Sequence, residues 1–483
     1  VSESIGTAGT IFLITLVATF AISALARLHS KGELRGDLAG RKLNRWFIGL
    51  SAATTANSGF IVTAAVRLGY VGGMQWVMLP ISWFVGDLIF WAIFPERINA
   101  FGHESRATTL SEMLAFKLSG KWGAVVAILA AMVILVCLCG YTSAQWIAGQ
   151  KFLTGAFGFP QYFGLALFAI VIIAYSTIGG FRGSVYTDTL QAFIRIVGTV
   201  IALVAISYVA ISNSEVFVRN IQAAGAEFLN PFSGGTVVTV LGFVGGYAAA
   251  AIGFGLGQPQ IISRYLAGSN PLETRSARWI YIGFVQFTWI SMTLFGVLLR
   301  GVMPAIADPE TGLSVFFQKN MNAVATGIIV ADVFATIAST SNGLLVAMAQ
   351  AITHDILPRI FPGKSERIPF AAITAAIGLT TMMIAALIHG TVVTLALASV
   401  SLMGAGLAPA VIIKVMYWRH SAFSLACAIV GGILSAIIWR YFGFGAHLNE
   451  AAIGIVCGLA LNWLIAYRHN LHVSGEILAG KPN

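Results

Sequence analysis

Thirteen apolar runs of about twenty residues follow one another along this chain. They lie near 8–27, 46–71, 76–95, 121–150, 161–178, 188–211, 235–259, 279–301, 322–350, 369–389, 391–416, 422–442 and 451–468. A helix needs roughly 20 such residues to cross a bilayer core, so each run predicts one span. Hydrophobic residues make up 58% of the 483 and charged ones only 10%, where a soluble domain carries about 25% charged. The runs are continuous instead of alternating, which excludes an outer-membrane barrel. The fold class expected is therefore an all-α polytopic membrane protein of about 13 transmembrane helices.

The basic residues orient it. With the N-terminus outside, inside loops and tail hold 21 of the 28 Lys and Arg, and outside connections hold five. This asymmetry is the one that the positive-inside rule demands, and an odd number of spans places the C-terminus in the cytoplasm. The formal charge of +10 is dispersed among short loops, which argues against a nucleic-acid partner. The first run lacks a basic flank and a small-residue cleavage site, so it reads as a span and not a signal peptide. Cys137, Cys139, Cys427 and Cys457 all lie within apolar runs and suggest neither a disulfide framework nor a metal site. The polar tail after Arg468 carries no signalling or nucleotide-binding pattern, so one transmembrane domain, 1–483, is expected to account for the chain.

Two spans should break. Backbone interruptions at membrane depth are tolerated only where they line a cavity. Span 46–71 contains Ser51-Ala-Ala-Thr-Thr-Ala-Asn-Ser-Gly59, and span 235–259 holds Gly242, Gly245, Gly246, Gly253, Gly255 and Gly257. Small residues at a single position usually serve close packing. A matched pair of interrupted spans, each opening one half of an inverted repeat (about 46–211 and 235–416), points instead to a midplane binding site. Span 322–350 adds Ala338-Ser339-Thr340-Ser341-Asn342-Gly343 at its centre. Hydroxyls in helices ordinarily bond the i−4 carbonyl, but two adjacent ones beside a broken helix suit a hard cation.

Three landmarks carry a family likeness: Tyr175…Ile178-Gly-Gly-Phe181…Thr187-Asp188-Thr189…Gln191, Gly257-Gln258-Pro259…Arg264, and Ser339-Thr340. With them the chain resembles the sodium/solute symporter family over nearly all its spans, most closely the sodium/proline branch. The resemblance implies a LeuT-like five-plus-five inverted repeat, with one extra N-terminal and two extra C-terminal helices. It also implies a sodium site built from the carbonyls of Thr54, Asn57 and Thr336 and the hydroxyls of Ser339 and Thr340. The family's second sodium site would use Asp188 with hydroxyls where this chain has Asn342 and Gly343, so one Na+ is expected and Asp188 is assigned to the ion's route or a gate. Ser58, Tyr141, Thr142 and Gln145 are expected near the solute. Ala251 and Gly255 replace aromatic residues of the branch and Ala56 replaces an acid, changes that would widen the cavity and remove a negative charge. Gln258 is expected near the inner mouth.

Arg67 lies on the outer half of the first broken span, about 13 Å above Ser58 by helical rise. A charge at that depth needs a partner, and Asp332 or Asp87 is expected to supply it in a gating pair. Arg195 is expected to be a packing charge and His389 an interface residue. The reading that results is a sodium-coupled importer of an amino acid such as proline, or of a small carboxylate. It would be a monomer in the bacterial inner membrane, surrounded by lipid. No covalent chemistry is expected, and no Walker loop is present to use ATP. The rivals are a solute sensor built on the same fold and a channel.

Overall fold

A computed structural model of the chain describes residues 2–29, 38–118, 120–232, 235–361, 368–388 and 391–468. The expected interface residue His389 lies outside these. The principal helices are α1 (Ser2–His29), α2 (Arg45–Ala56), α3 (Ala65–Gly72), α4 (Met78–Ile93), α5 (Gly120–Phe157), α6 (Gln161–Ser212), α7 (Val237–Gly257), α8 (Arg278–Val302), α9 (Ala323–Gln350), α10 (Phe370–Leu387), α11 (Val392–Val415), α12 (Ala422–Tyr441) and α13 (Glu450–Arg468). Among the described residues there is no β-strand beyond one isolated bridge, Leu43 to Gly268. Side chains close the helix starts where the sequence turns apolar: Asn44, Thr236, Asn322, Thr391 and Ser421 each accept from first-turn amides. Capping matters more in lipid than in water, because an unpaired amide there has no solvent to turn to.

Eleven helical stretches are long and apolar enough to cross a membrane. Two of them double back within their length. A straight helix of the 52 residues of α6 would run about 78 Å. It is interrupted by Gly180 at φ 56°, ψ −151°, a conformation that glycine adopts without a steric penalty. Phe168 meets Phe334 and Tyr175 meets Ala338, so the first half of α6 runs parallel to α9. Asp188 meets Ser339 and Arg195 meets Asp332, so the second half runs antiparallel to it. The chain therefore reverses at Gly180. The stretch Phe60–Ile93 reverses likewise at the 3-10 turn Gly73–Val77. Phe60 and Trp83 both reach Trp289, and from there Gly69 lies against Thr293 while Trp91 meets Tyr281, so α3 and α4 run along α8 in opposite directions.

The polar segment 175–191, which lies between two apolar runs, is thus not an irregular loop. It is helical on both sides of Gly180, and its hydroxyls return to the ladder: Thr187 donates to Gly183 O and Thr189 to Val185 O.

The bundle is apolar outside and polar at its centre. Leu13, Val136, Phe193, Val204, Met383 and Val456 are exposed, whereas Ser51, Asp188, Arg264, Asp332 and Ser339 are buried. An apolar exterior is what a hydrocarbon solvent requires, and the buried polar residues sit within an interior that is otherwise apolar. Where backbones meet, glycine makes the room. A Cβ on Gly69 would stand 2.1 Å from Thr293 O, and one on Gly296 would stand 2.1 Å from Val66 O, so α3 and α8 touch main chain to main chain.

At the end of the bundle bearing the basic loops, His420 Nδ1 bonds Trp418 O at 2.7 Å and Nε2 faces Lys414 Nζ at 3.4 Å. Burial, reinforced by the Lys414 ammonium, pushes the imidazole down to about 4. The unfolded chain binds this proton near pH 6.5, so the stability His420 contributes is whole above that value and is lost as the pH falls toward 4. Thermal melting in detergent should show a drop between those values that His420→Gln reduces; an equal drop in the variant would discount the contact.

Candidate ion and solute site at two broken helices

Helix α2 ends at Ala56, and Asn57 takes φ −86°, ψ 72°. The chain then resumes as a π-turn, Phe60–Ala64. The Ser58 amide turns to Ala56 O and the Ile61 amide to Ser58 O. These are the donors that a continuous helix would have closed on the carbonyls of Thr54 and Asn57. Both carbonyls are released from the ladder, in the span where the sequence is richest in small hydroxylated residues. The Thr55 carbonyl is released as well, since the Gly59 amide donates to Gln145 Oε1 at 2.9 Å, and it accepts from Thr340 Oγ1 at 2.9 Å.

The second break falls at Gln258 (φ −87°, ψ 105°), and Pro259 opens a new helix to Leu266. It lies at the end of the glycine-rich run and not within it. Proline has no amide to continue the ladder, whereas the glycines upstream stay helical because neighbouring helices pack into them. Ala251 and Gly255 are such positions. Ala251 Cβ lies where a Cβ on Gly86 of α4 would fall, 2.6 Å from it, and a Cβ on Gly255 would stand 2.7 Å from the Phe90 ring. In this structure the room left by small residues is taken by α4.

Helix α9 stays regular through its centre, as do its backbone bonds. Ser339 Oγ donates to Asp188 Oδ1 at 2.6 Å, while Ser341 returns to Ile337 O. Thr336 Oγ1 reaches Asp332 Oδ1 at 3.4 Å. Thr54, Asn57, Thr336, Ser339 and Thr340 are all buried. The second oxygen of Asp188 accepts from Ser51 Oγ at 2.6 Å, Thr55 Oγ1 at 3.2 Å and Arg264 Nη2 at 3.1 Å. Arg264 is itself saturated by Ser51, Ser184, Gln260 O and Ser263 and stacks on Phe181. Asp188 thus sits on the hydroxyl row of α9 and joins α2, α6, α9 and the inner half of the second broken helix. The roles of Ser51, Thr55, Ser184 and Arg264 were not read from the sequence. Ser51 and Thr55 left a trace there within the hydroxylated run of the first broken span, and Arg264 within the landmark that begins at Gly257.

Around the first break the Tyr141 hydroxyl pairs with Ser58, and Asn57 Nδ2 donates to Thr288 Oγ1. Several buried polar atoms have no protein partner: Asn57 Oδ1, Thr142 Oγ1, Gln145 Nε2, Gln258 Nε2, Gln260 Oε1 and Asn342 Oδ1. Buried polar groups are nearly always satisfied. Those at and beside the two breaks are donors and acceptors that a polar ligand would complete.

The expected pair of Arg67 with Asp332 or Asp87 is absent. Asp332 pairs with Arg195 instead, Nη1 to Oδ2 at 2.7 Å, both buried. The reversal at Gly180 brings Arg195 level with Asp332, whereas α3, which carries Arg67, runs along α8. Asp87 is buried beside Gln286 with one carboxylate oxygen unpartnered. Arg67 is half-buried and has no acidic partner among the described residues.

A family profile, the sodium:solute symporter family, matches residues 37–434. The chain belongs to the sodium:solute symporter family. It is a multi-pass membrane protein that imports a solute coupled to sodium. Among curated proteins it is 25% identical over 455 residues to the sodium/proline symporter of Staphylococcus aureus, covering 89% of this chain and 85% of that one. It is 23% identical over 416 residues to the osmoregulated proline transporter OpuE of Bacillus subtilis, covering 83% and 82%. Its fold is similar to that of a Na+-coupled sialic acid symporter solved substrate-bound and outward-open, with TM-score 0.75 at 18% identity over 95% of this chain and 97% of that one. It is also similar to MhsT solved with L-phenylalanine, with TM-score 0.54 at 14% identity over 87% and 99%. The fold of this family member is LeuT-like.

Proposed function

We propose that this symporter moves one sodium ion with each solute molecule, the solute being an amino acid such as proline or a small carboxylate. Sodium is bound by the carbonyls of Thr54, Asn57 and Thr336 and by Ser339 and Thr340. The observation that carries this reading is the release of the Thr54 and Asn57 carbonyls opposite the two hydroxyls of α9. Neutral oxygens can replace the water around a monovalent cation without a further buried carboxylate. One ion is favoured over two because the Arg264 guanidinium already occupies Asp188, and a second cation beside it would be repelled. The Asp188–Arg264 pair closes the inner route.

The solute lies among Ser58, Tyr141, Thr142 and Gln145. The proline named for both curated relatives supports an amino acid. The unpaired Arg67 on the outer half of the bundle supports a solute bearing a carboxylate. The chain works as a monomer in the bacterial inner membrane, with its N-terminus outside and C-terminus inside. It crosses the membrane thirteen times as two inverted halves, 46–211 and 235–416, with Asp332 and Arg195 holding α9 to α6 beside the ion.

Proteoliposomes loaded without sodium test this. Uptake of labelled proline should rise with an inward sodium gradient and collapse when choline replaces sodium. If proline is not taken up, a melting-temperature screen of amino acids and carboxylates with sodium present should reveal the solute, since a ligand of the folded state stabilises it. Absence of any sodium-dependent solute flux would overturn the reading.

A further inference from the structure

Below the second break, toward the end of the bundle that carries the basic loops, a cavity is walled by Thr108, Thr109, Pro259, Ser263, Gln350 and Asp355, with apolar side chains completing it. It has room for about one water-sized particle. Two of its walls, Pro259 and Ser263, belong to the half-helix that also carries Arg264. The opposite wall follows α9 into a π-turn, Ala351–Ile356. Such turns break the regular helix and recur at functional sites.

Asp355 is 0% exposed. Its Oδ1 accepts from Thr109 Oγ1 at 2.9 Å, and its Oδ2 makes no well-formed hydrogen bond, with only the Ser111 hydroxyl close by. The nearest cation, Arg359, stands 3.8 Å away and is committed to the carbonyls of His354 and Asp355. Glu112 adds a second negative charge close by, its carboxylate held by the amide and hydroxyl of Thr108. A buried carboxylate oxygen without a donor is costly. Here it lines a cavity of ionic size, among hydroxyl and amide oxygens, with Arg359 paired only loosely to the other oxygen and Arg41 facing Glu112.

We propose that this cavity is a second sodium-binding position, a way-station that receives the ion after the Asp188–Arg264 pair opens, with Asp355, Thr109 and Ser263 as its oxygen ligands. The proposal rests on the reading that sodium is bound first beside Ser339 and Thr340. Motion of the half-helix Pro259–Leu266 would couple the two positions, since one face holds Asp188 through Arg264 and the other walls this cavity.

Binding of radiolabelled sodium to the purified full-length protein, with choline holding ionic strength constant, separates the two positions. The wild type should show two components. Asp355→Asn should shift the weaker one by about tenfold or more and leave the tighter one within about twofold, while Ser339→Ala with Thr340→Ala should remove the tighter one. Superimposable isotherms for Asp355→Asn and wild type would overturn the way-station. An unchanged tighter component in the Ser339 and Thr340 variant would overturn the midplane site independently. Should Asp355→Asn fail to fold, Ser263→Ala replaces it, with a several-fold loss in the weaker component expected and none overturning the proposal.

Discussion

Alanine at both Ser339 and Thr340 is expected to raise the sodium concentration for half-maximal uptake by roughly 100-fold. Each hydroxyl removed from a charged ligand costs about 1.5–3 kcal/mol, and two such losses account for that factor or more. In the structure Ser339 donates to Asp188 and Thr340 to the released Thr55 carbonyl, so each oxygen keeps lone pairs for a cation. Ser341 is the control. Its hydroxyl is spent on Ile337 O within its own helix, and Ser341→Ala should leave the sodium dependence within about twofold. The measurement is initial uptake rate against external sodium at constant ionic strength. An unchanged half-maximal concentration in the double variant, or an equal shift from Ser341→Ala, would remove these residues from the ion site.

Loss of Arg264 should be the most damaging single change at the centre of the bundle. Its side chain and that of Asp188 are 1% and 0% exposed, and breaking such a pair costs about 3–5 kcal/mol because one charge stays buried alone. Arg264→Gln should therefore lower the melting temperature sharply, and it should let sodium leak without solute if the pair closes the inner route. Asp188→Asn added to Arg264→Gln removes the stranded charge and should recover more than half of the lost stability. Simple additivity of the two substitutions would show that the pair is not coupled. The leak is read separately, as sodium flux into vesicles with no solute present.

Much of the fold is legible in the chain because hydrocarbon leaves few solutions. A run of twenty apolar residues must be helical, since no water is present to satisfy its backbone. Small hydroxylated residues from Ser51 to Gly59 marked the first break for a similar reason: nothing else in the span could tolerate it. The second break was placed in the right span but among the wrong residues, because a glycine reads alike whether it interrupts a helix or admits a neighbour. Gly255 admits Phe90; the interruption came from Gln258-Pro259.

Charge partners were the least legible. Arg67, Asp87, Arg195 and Asp332 all appear in the sequence as costly intramembrane charges, each in want of a partner, and depth along a helix was the only guide to pairing. Depth alone matched Arg67 with Asp332 or Asp87. The structure gives Asp332 to Arg195 because the reversal at Gly180 turns the second half of α6 against α9. Composition and hydropathy determined by themselves that this protein is a helical bundle in a membrane, and its three landmark motifs named the family. Only the tertiary structure decided that Asp188 meets Ser339, that Arg264 closes on both Asp188 and Ser51, and that Asp355 faces a cavity. A period of 3.6 residues shows which face of a helix a side chain is on, but which helix stands opposite depends on how the chain reverses.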